Sequence, residues 1–286
     1  MARDGNSNGI ARARKRALLA GALLPSALLA AACAPDRASG ASDNGPTIVS
    51  LNPCIDAILV EVAAPGQVLA LSHYSRDSGS SSISQDVAAH YGVTGGTAEE
   101  VIALAPDLVL VSSFLPQPTR QAFERAGLRV EAFGSPTTVA ASIAQVREVA
   151  QVVGRKARGE RLVRDMAQAA MPADNARPIA TLLWQPGEIV PGNATLVAEL
   201  LRAKGFANHA DAMGLGQADF AALETVLADP PELLLVAGDS AGQRHPLLAG
   251  LRATQVEPLD PRLLFCGGRT VVGLGMRLDQ IRAKLP

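Results

Sequence analysis

Aromatic side chains are scarce in this chain. One Trp, two Tyr and six Phe make up 3% of its 286 residues, so the position of each carries information. Charge of either sign is also short of an excess, with 26 Lys and Arg against 27 Asp and Glu and no clustering. That balance argues against nucleic acid as a partner. There are four histidines (His73, His90, His209, His245), none at ligand spacing, and three cysteines with no CxxC. A built-in metal site is therefore not expected. The chain has no GxSxG elbow, HExxH pair or Walker loop. Gly214-Leu215-Gly216 and Gly273-Leu274-Gly275 lack the third glycine of a dinucleotide loop. No catalytic constellation is left, and an enzyme is not the expected reading.

The amino terminus reads as an export signal over residues 1–32. Arg12, Arg14, Lys15 and Arg16 precede an apolar stretch, Ala17 to Ala32, too short for an ordinary membrane span. It ends in Ala30-Ala31-Ala32-Cys33, which resembles a bacterial lipoprotein signal with Cys33 acylated, although Ala30 stands where leucine is usual. Plain cleavage after Ala32 satisfies the small-x-small rule equally well. Residues 33–46, rich in Ser, Gly, Ala, Asp and Pro, read as a flexible tether. Export leaves Cys54 and Cys266 in an oxidising compartment, where a disulfide is the natural expectation and two separate buried thiols the alternative.

A segment then occurs twice, 125 positions apart. Thr97-Ala98-Glu99-Glu100-Val101 leads through Pro106-Asp107 into Leu108–Val111; Ala222-Leu223-Glu224-Thr225-Val226 leads through Pro230-Pro231-Glu232 into Leu233–Val236. Each copy is an acidic helix start, apolar turns, a proline stop and a short apolar run. Such a run fits a strand buried on both faces of a parallel sheet. Further strands are predicted at Thr47–Leu51, Val68–Leu71, Val130–Phe133, Ile179–Leu183 and Leu263–Phe265. Helical patterns alternate with them, for example Pro118–Ala126 and Ala194–Lys204, with Gly127 and Gly205 placed as C-caps. The expectation is an α/β fold of two Rossmann-like lobes with parallel sheets. The lobes are placed at 47–137 and 178–286. Residues 138–177 have no strand signal and form a connector, one long rigid helix or two stacked helices.

An exported chain with two α/β lobes and a helical connector resembles the class III substrate-binding proteins of ABC transporters, which capture vitamin B12, ferric siderophores or haem. The resemblance is carried by Ile48-Val49-Ser50-Leu51-Asn52-Pro53, Gly95-Gly96, Glu99 through Val109, and the second copy around Glu224. It implies a periplasmic or cell-surface location, membrane attachment only through a lipid, and an ABC permease and ATPase as partners. The protein itself would need no cofactor; cobalt or iron would arrive inside a metal-chelate ligand. Cobalamin and ferric siderophores rank equal, with haem behind, and an exported α/β enzyme or sensor domain without a transporter is the runner-up.

Ligands of open parallel sheets bind beyond the carboxyl ends of the strands. His73, Tyr74 and Arg76 follow one predicted strand, Phe114 another, Trp184 a third, and Arg244 and Arg269 follow the last two at longer range. Tyr74 matches a tyrosine that the family places in its cleft. Tyr74, Phe114 and Trp184 are expected to supply apolar and stacking surface, and Arg76, Arg244 and Arg269 to pair with ligand carboxylates or amide oxygens. Iron, if present, would meet Tyr74 or His73. By the same resemblance Glu99 and Glu224 dock the permease, one per lobe. Cys54 lies just after the first predicted strand and Cys266 just after the last, so a bond between them would tie the lobes together beside the cleft.

Overall fold

A computed structural model describes residues 45–173, 177–216 and 218–285. The expected export signal, Cys33 and most of the tether lie outside the described residues. The first lobe runs β1 (Ile48–Ser50), α1 (Pro53–Val62), β2 (Val68–Ser72), α2 (Gln85–Ala88), β3 (Val93–Thr94), α3 (Ala98–Leu104), β4 (Leu108–Ser112), α4 (Gln117–Arg125) and β5 (Arg129–Phe133). Two helices follow, α5 (Val139–Val152) and α6 (Lys156–Ala169). The second lobe runs β6 (Ile179–Trp184), β7 (Ile189–Val190), α7 (Leu196–Ala203), β8 (Phe206–Asn208), α8 (His209–Ala212), β9 (Asp219–Phe220), α9 (Leu223–Ala228), β10 (Leu233–Val236), β11 (Gln255–Pro258) and α10 (Arg269–Arg282).

Each lobe is built on one parallel sheet. The first has the order β3-β2-β1-β4-β5 and the second β11-β10-β6-β8, every pairing parallel. A small antiparallel ribbon, β7 with β9, is added to the second. Period-2 alternation assigns each strand residue a face, and both faces are buried, as parallel strands require. Val49, Val109 and Val111 pack with Phe123 on one face of the first sheet. Ile48, Leu108 and Leu110 face the opposite way, into a core that continues through Val146, Met166 and Leu274 to Leu183 and Leu235 of the second sheet.

The duplicated segment occupies matching places. α3–β4 and α9–β10 each end in the strand beside their lobe's first strand, β4 next to β1 and β10 next to β6. The connector is a helical hairpin, and this corrects the single long helix. Gly154, with φ +74°, turns the chain between α5 and α6, which pack together through a close approach at Gly159. A Cβ there would fall 2.3 Å from that of Ala150, and Arg147 bonds Glu160 across the hairpin at 2.8 Å.

A second correction concerns Leu263–Phe265. The last strand is Gln255–Pro258, and Pro261–Leu264 form a 3₁₀ turn. Asp260 caps that turn by accepting from Arg262 N at 2.9 Å, with Pro261 at its first position, a helix-start signal that outweighs the apolar run.

Candidate functional site: the carboxyl ends of two facing sheets

The carboxyl ends of the two sheets meet across a cleft. A cavity of about 240 Å³ brings Cys54, just past β1, and Ser135–Thr137, past β5, against Gln185, Pro191 and Thr195 of the second lobe. Cys266 lines the same cavity and is disulfide-bonded to Cys54, 212 positions away in sequence. The bond joins the first turn of α1 to the loop before α10 and so ties the two lobes together at the floor of the cleft.

The carboxyl edge of the first lobe's sheet is shaped by short-range chemistry, and His73, Tyr74 and Phe114 are not among the residues lining this cavity. β2 runs straight into a 3₁₀ turn, His73–Arg76, that displays His73 and Tyr74 to solvent. Their rings are in contact, centroids 4.1 Å apart. Tyr74 is 45% exposed, and its hydroxyl has no hydrogen bond among the described residues. Underneath, the buried Asp56 of α1 accepts from Ser72 and Ser75 on either side of this pair. Burial pushes its carboxyl up to about 6, with the serine hydroxyls pulling the other way. Glu100 holds the neighbouring turn, accepting from the Thr94 hydroxyl and Gly95 N, both at 2.7 Å. Those bonds keep its carboxyl below the usual range, and the nearby His73 adds to the effect when protonated. Phe114, past β4, is 84% exposed. Arg76 instead reaches back to donate to the Tyr91 carbonyl at 2.9 Å.

In the second lobe one expected contact is corrected. β6 extends one residue further than predicted, and Trp184 is its last residue, fully buried. Its indole packs with Leu182, Val190 and Leu234 and donates to the Ala221 carbonyl at 2.9 Å. It offers a ligand no surface. Its function is to hold the ribbon that follows: Ala221 is anchored from below, and its neighbour Phe220 points the other way, 63% exposed. Because β9 pairs with β7 just past the end of β6, Phe220 is an exposed aromatic beyond the carboxyl end of that strand. No sequence signal marked it, since β9 is only two residues long. Gln243 braces the adjoining loop, donating to the Trp184 carbonyl at 2.8 Å and accepting from Ser240 N at 3.0 Å. Gly238, at φ +128°, leaves no room for a side chain there, since a Cβ would lie 2.8 Å from Pro186.

Arg244 is exposed on this loop with no partner among the described residues. Arg269 is placed elsewhere. It lies at the start of α10, 3.5 Å from Asp165, on a groove of about 360 Å³ lined by α1 and α10, so the structure does not bring it to the His73–Tyr74 pair. Among the described residues, no three His, Cys, Asp or Glu side chains come together as a metal site.

Glu99 and Glu224 occupy the same position, second residue of α3 and of α9, and both are exposed. Thr97 caps α3 through Glu100 N, whereas Ala222 has no capping bond to give α9. At the helix start the two copies share the glutamate and not the cap.

The sequence profile of the periplasmic binding protein family matches residues 48–256. The chain belongs to that family. Solved structures carry the same fold. A periplasmic haem-binding protein, HutB of Vibrio cholerae, superposes with a TM-score of 0.64 at 18% identity, covering 84% of this chain and 99% of its own. RhuT from Roseiflexus sp. RS-1, described as a periplasmic haem-binding protein in apo form, gives 0.63 at 22%, covering 83% and 99%. BhuT, solved in complex with two haems, gives 0.64 at 18%, covering 84% and 98%. At these identities the likeness is one of fold. No curated protein sequence matches the chain.

Proposed function

We propose that this protein is the substrate-binding component of an ABC importer and that its ligand is a metal chelate held between the lobes, specifically ferric haem. The observation that carries this is the exposed Tyr74 in ring contact with His73 at the carboxyl end of β2, with its phenol making no hydrogen bond among the described residues. A phenolate is an established axial ligand for haem iron. Phe114 on one side and Phe220 on the other supply broad apolar surface, as a large flat ligand requires. Arg244, and the donors Arg76 has left, suit the propionates, because a planar guanidinium matches a carboxylate. The haem-binding descriptions of the structural neighbours support this choice over cobalamin and ferric siderophores. Cys33 would anchor the exported chain by a lipid, and residues 33–46 would let it stand off the membrane.

Delivery requires a docking surface on both lobes, and Glu99 with Glu224 supply it as a matched pair for arginines of the permease. Native mass spectrometry of the protein as purified from a haem-replete culture should find the mass of one or more iron porphyrins. A corrinoid or a ferric siderophore mass in its place would overturn the choice of ligand. Charge reversal at both Glu99 and Glu224 should abolish uptake with ligand affinity unchanged; normal uptake would remove the docking role.

A further inference from the structure

We infer that Asp56 is the positioning residue of the ligand site: from the buried interior of α1 it fixes the turn that aims Tyr74 at the ligand. The inference rests on Tyr74 being the ligand contact. One carboxylate oxygen, Oδ2, takes three hydrogen bonds from the turn, from Ser72 N at 3.0 Å, Ser72 Oγ at 2.5 Å and Ser75 Oγ at 2.6 Å. Ser72 and Ser75 bracket His73 and Tyr74. The three members of the network are almost wholly buried, while the two residues they bracket are exposed.

The arrangement is unlike ordinary turn chemistry. Ser72 stands at the N-cap of the 3₁₀ turn, yet its hydroxyl makes no capping bond and is spent on Asp56. The local cap has been given up for a tether to another element. The second oxygen, Oδ1, is buried and takes no hydrogen bond of ordinary geometry among the described residues; the Ser50 hydroxyl beside it helps hold the carboxyl down while making 3.4 Å contacts with the Asn52 carbonyl and Asn52 N. A buried, partly unsatisfied carboxylate is an expensive way to stabilise a fold, and a hydrophobic side chain would serve packing better. What the carboxylate supplies is direction. It is itself held firmly, because Asn52 caps α1 by accepting from Cys54 N at 2.9 Å and Cys54 is bonded to Cys266. A contact residue on a short turn needs such a second layer of support to stay in one orientation.

The test is haemin titration of the disulfide-intact protein as wild type, Asp56→Asn, Asp56→Ala, Tyr74→Ala and Asp56→Ala/Tyr74→Ala. Loss of a charge-assisted bond network should weaken haemin binding about tenfold in Asp56→Ala, and less in Asp56→Asn, which keeps one acceptor. In the Tyr74→Ala background the same change should cost under about twofold, because the residue it positions is already gone. Wild-type affinity in Asp56→Ala, or a full additional loss in the double variant, would overturn the inference. Ser75→Ala, which leaves the α1 carboxylate in place, should reproduce the Asp56→Asn result if Asp56→Ala fails to fold. A second readout needs no ligand. The chain has two tyrosines, Tyr74 and Tyr91, and nitration by tetranitromethane followed by mass spectrometry reports each. Asp56→Asn should change the rate at Tyr74 and leave Tyr91 alone; equal rates would refute positioning. No haemin binding by the wild type together with the altered Tyr74 nitration rate in Asp56→Asn would refute the haem reading and keep this one.

Discussion

Trp184 and Phe220 divide stability from binding between two aromatic residues of one lobe. The perturbation is alanine at each. Trp184 is fully buried among Leu182, Val190, Ala221, Val226 and Leu234. Deleting such a ring costs about 3–5 kcal/mol in lost transfer and cavity energy. The Ala221 carbonyl would also lose the indole donor at 2.9 Å, adding about 1 kcal/mol or more. Against a typical total of about 5–15 kcal/mol, that consumes a large share of the stability. Phe220 is an exposed side chain, and its removal should stay within about 0.5 kcal/mol. Urea unfolding followed by far-ultraviolet circular dichroism measures both, since Trp184→Ala removes the only tryptophan and with it the fluorescence signal. The expected outcome is a large fall in midpoint for Trp184→Ala at a wild-type slope, and an unmoved midpoint for Phe220→Ala with haemin affinity down about tenfold, from the loss of one stacked ring. A stable Trp184→Ala protein that has lost its ligand would refute this assignment.

Three further outcomes follow from the packing and the charges. Asp56, with its folded carboxyl at about 6 and an unfolded value of about 3.9, binds its proton more tightly when folded. Its stabilising contribution is therefore complete below about pH 4 and lost as pH rises through about 6, an amount of about 3 kcal/mol. Wild-type stability minus that of Asp56→Asn should fall across pH 4–7; a flat difference would show the carboxyl is not perturbed. Thiol titration of the unfolded, unreduced mature protein should find no free thiol from Cys54 or Cys266. Cys54→Ser/Cys266→Ser should lower stability by about 2–5 kcal/mol, and an unchanged unfolding curve would contradict a native cross-link. Gly275→Ala would place a Cβ 2.4 Å from the Ala169 carbonyl where α10 crosses α6. It should destabilise by about 1–3 kcal/mol through forced helix separation, whereas Gly127→Ala meets no atom within 4 Å and should show only the strain of φ +72°.

Much of the architecture was readable because parallel strands announce themselves. Leu108–Val111 and Leu233–Val236 are unbroken apolar runs behind a proline, and each became a strand beside its lobe's first. Gly127 and Gly205 were readable as C-caps because a positive φ favours glycine, and both have one. The failures have equally local causes. Leu263–Phe265 resembled a strand by composition, but Asp260-Pro261 set a 3₁₀ turn there. Trp184 was assigned to the cleft by its place after a strand, and one extra residue of strand was enough to bury it. Phe220 was missed because a two-residue ribbon has no periodicity to read. Gly273 and Gly275 looked like a broken dinucleotide loop; they lie inside α10, where Gly275 lets α10 approach α6. Asp56 did leave a signal, a lone acid in the apolar run Ile55-Asp56-Ala57-Ile58-Leu59, but only the fold shows that the serines it serves lie 16 and 19 positions on.

In the proposed function Tyr74 meets the metal of a chelate held between the lobes. Visible-spectrum titration of wild type and Tyr74→Ala with ferric haem tests it most directly. The wild type should bind saturably with a phenolate-to-iron charge-transfer band, and Tyr74→Ala should lose that band and bind at least about tenfold more weakly. Superimposable spectra and titration curves for the two proteins would contradict it.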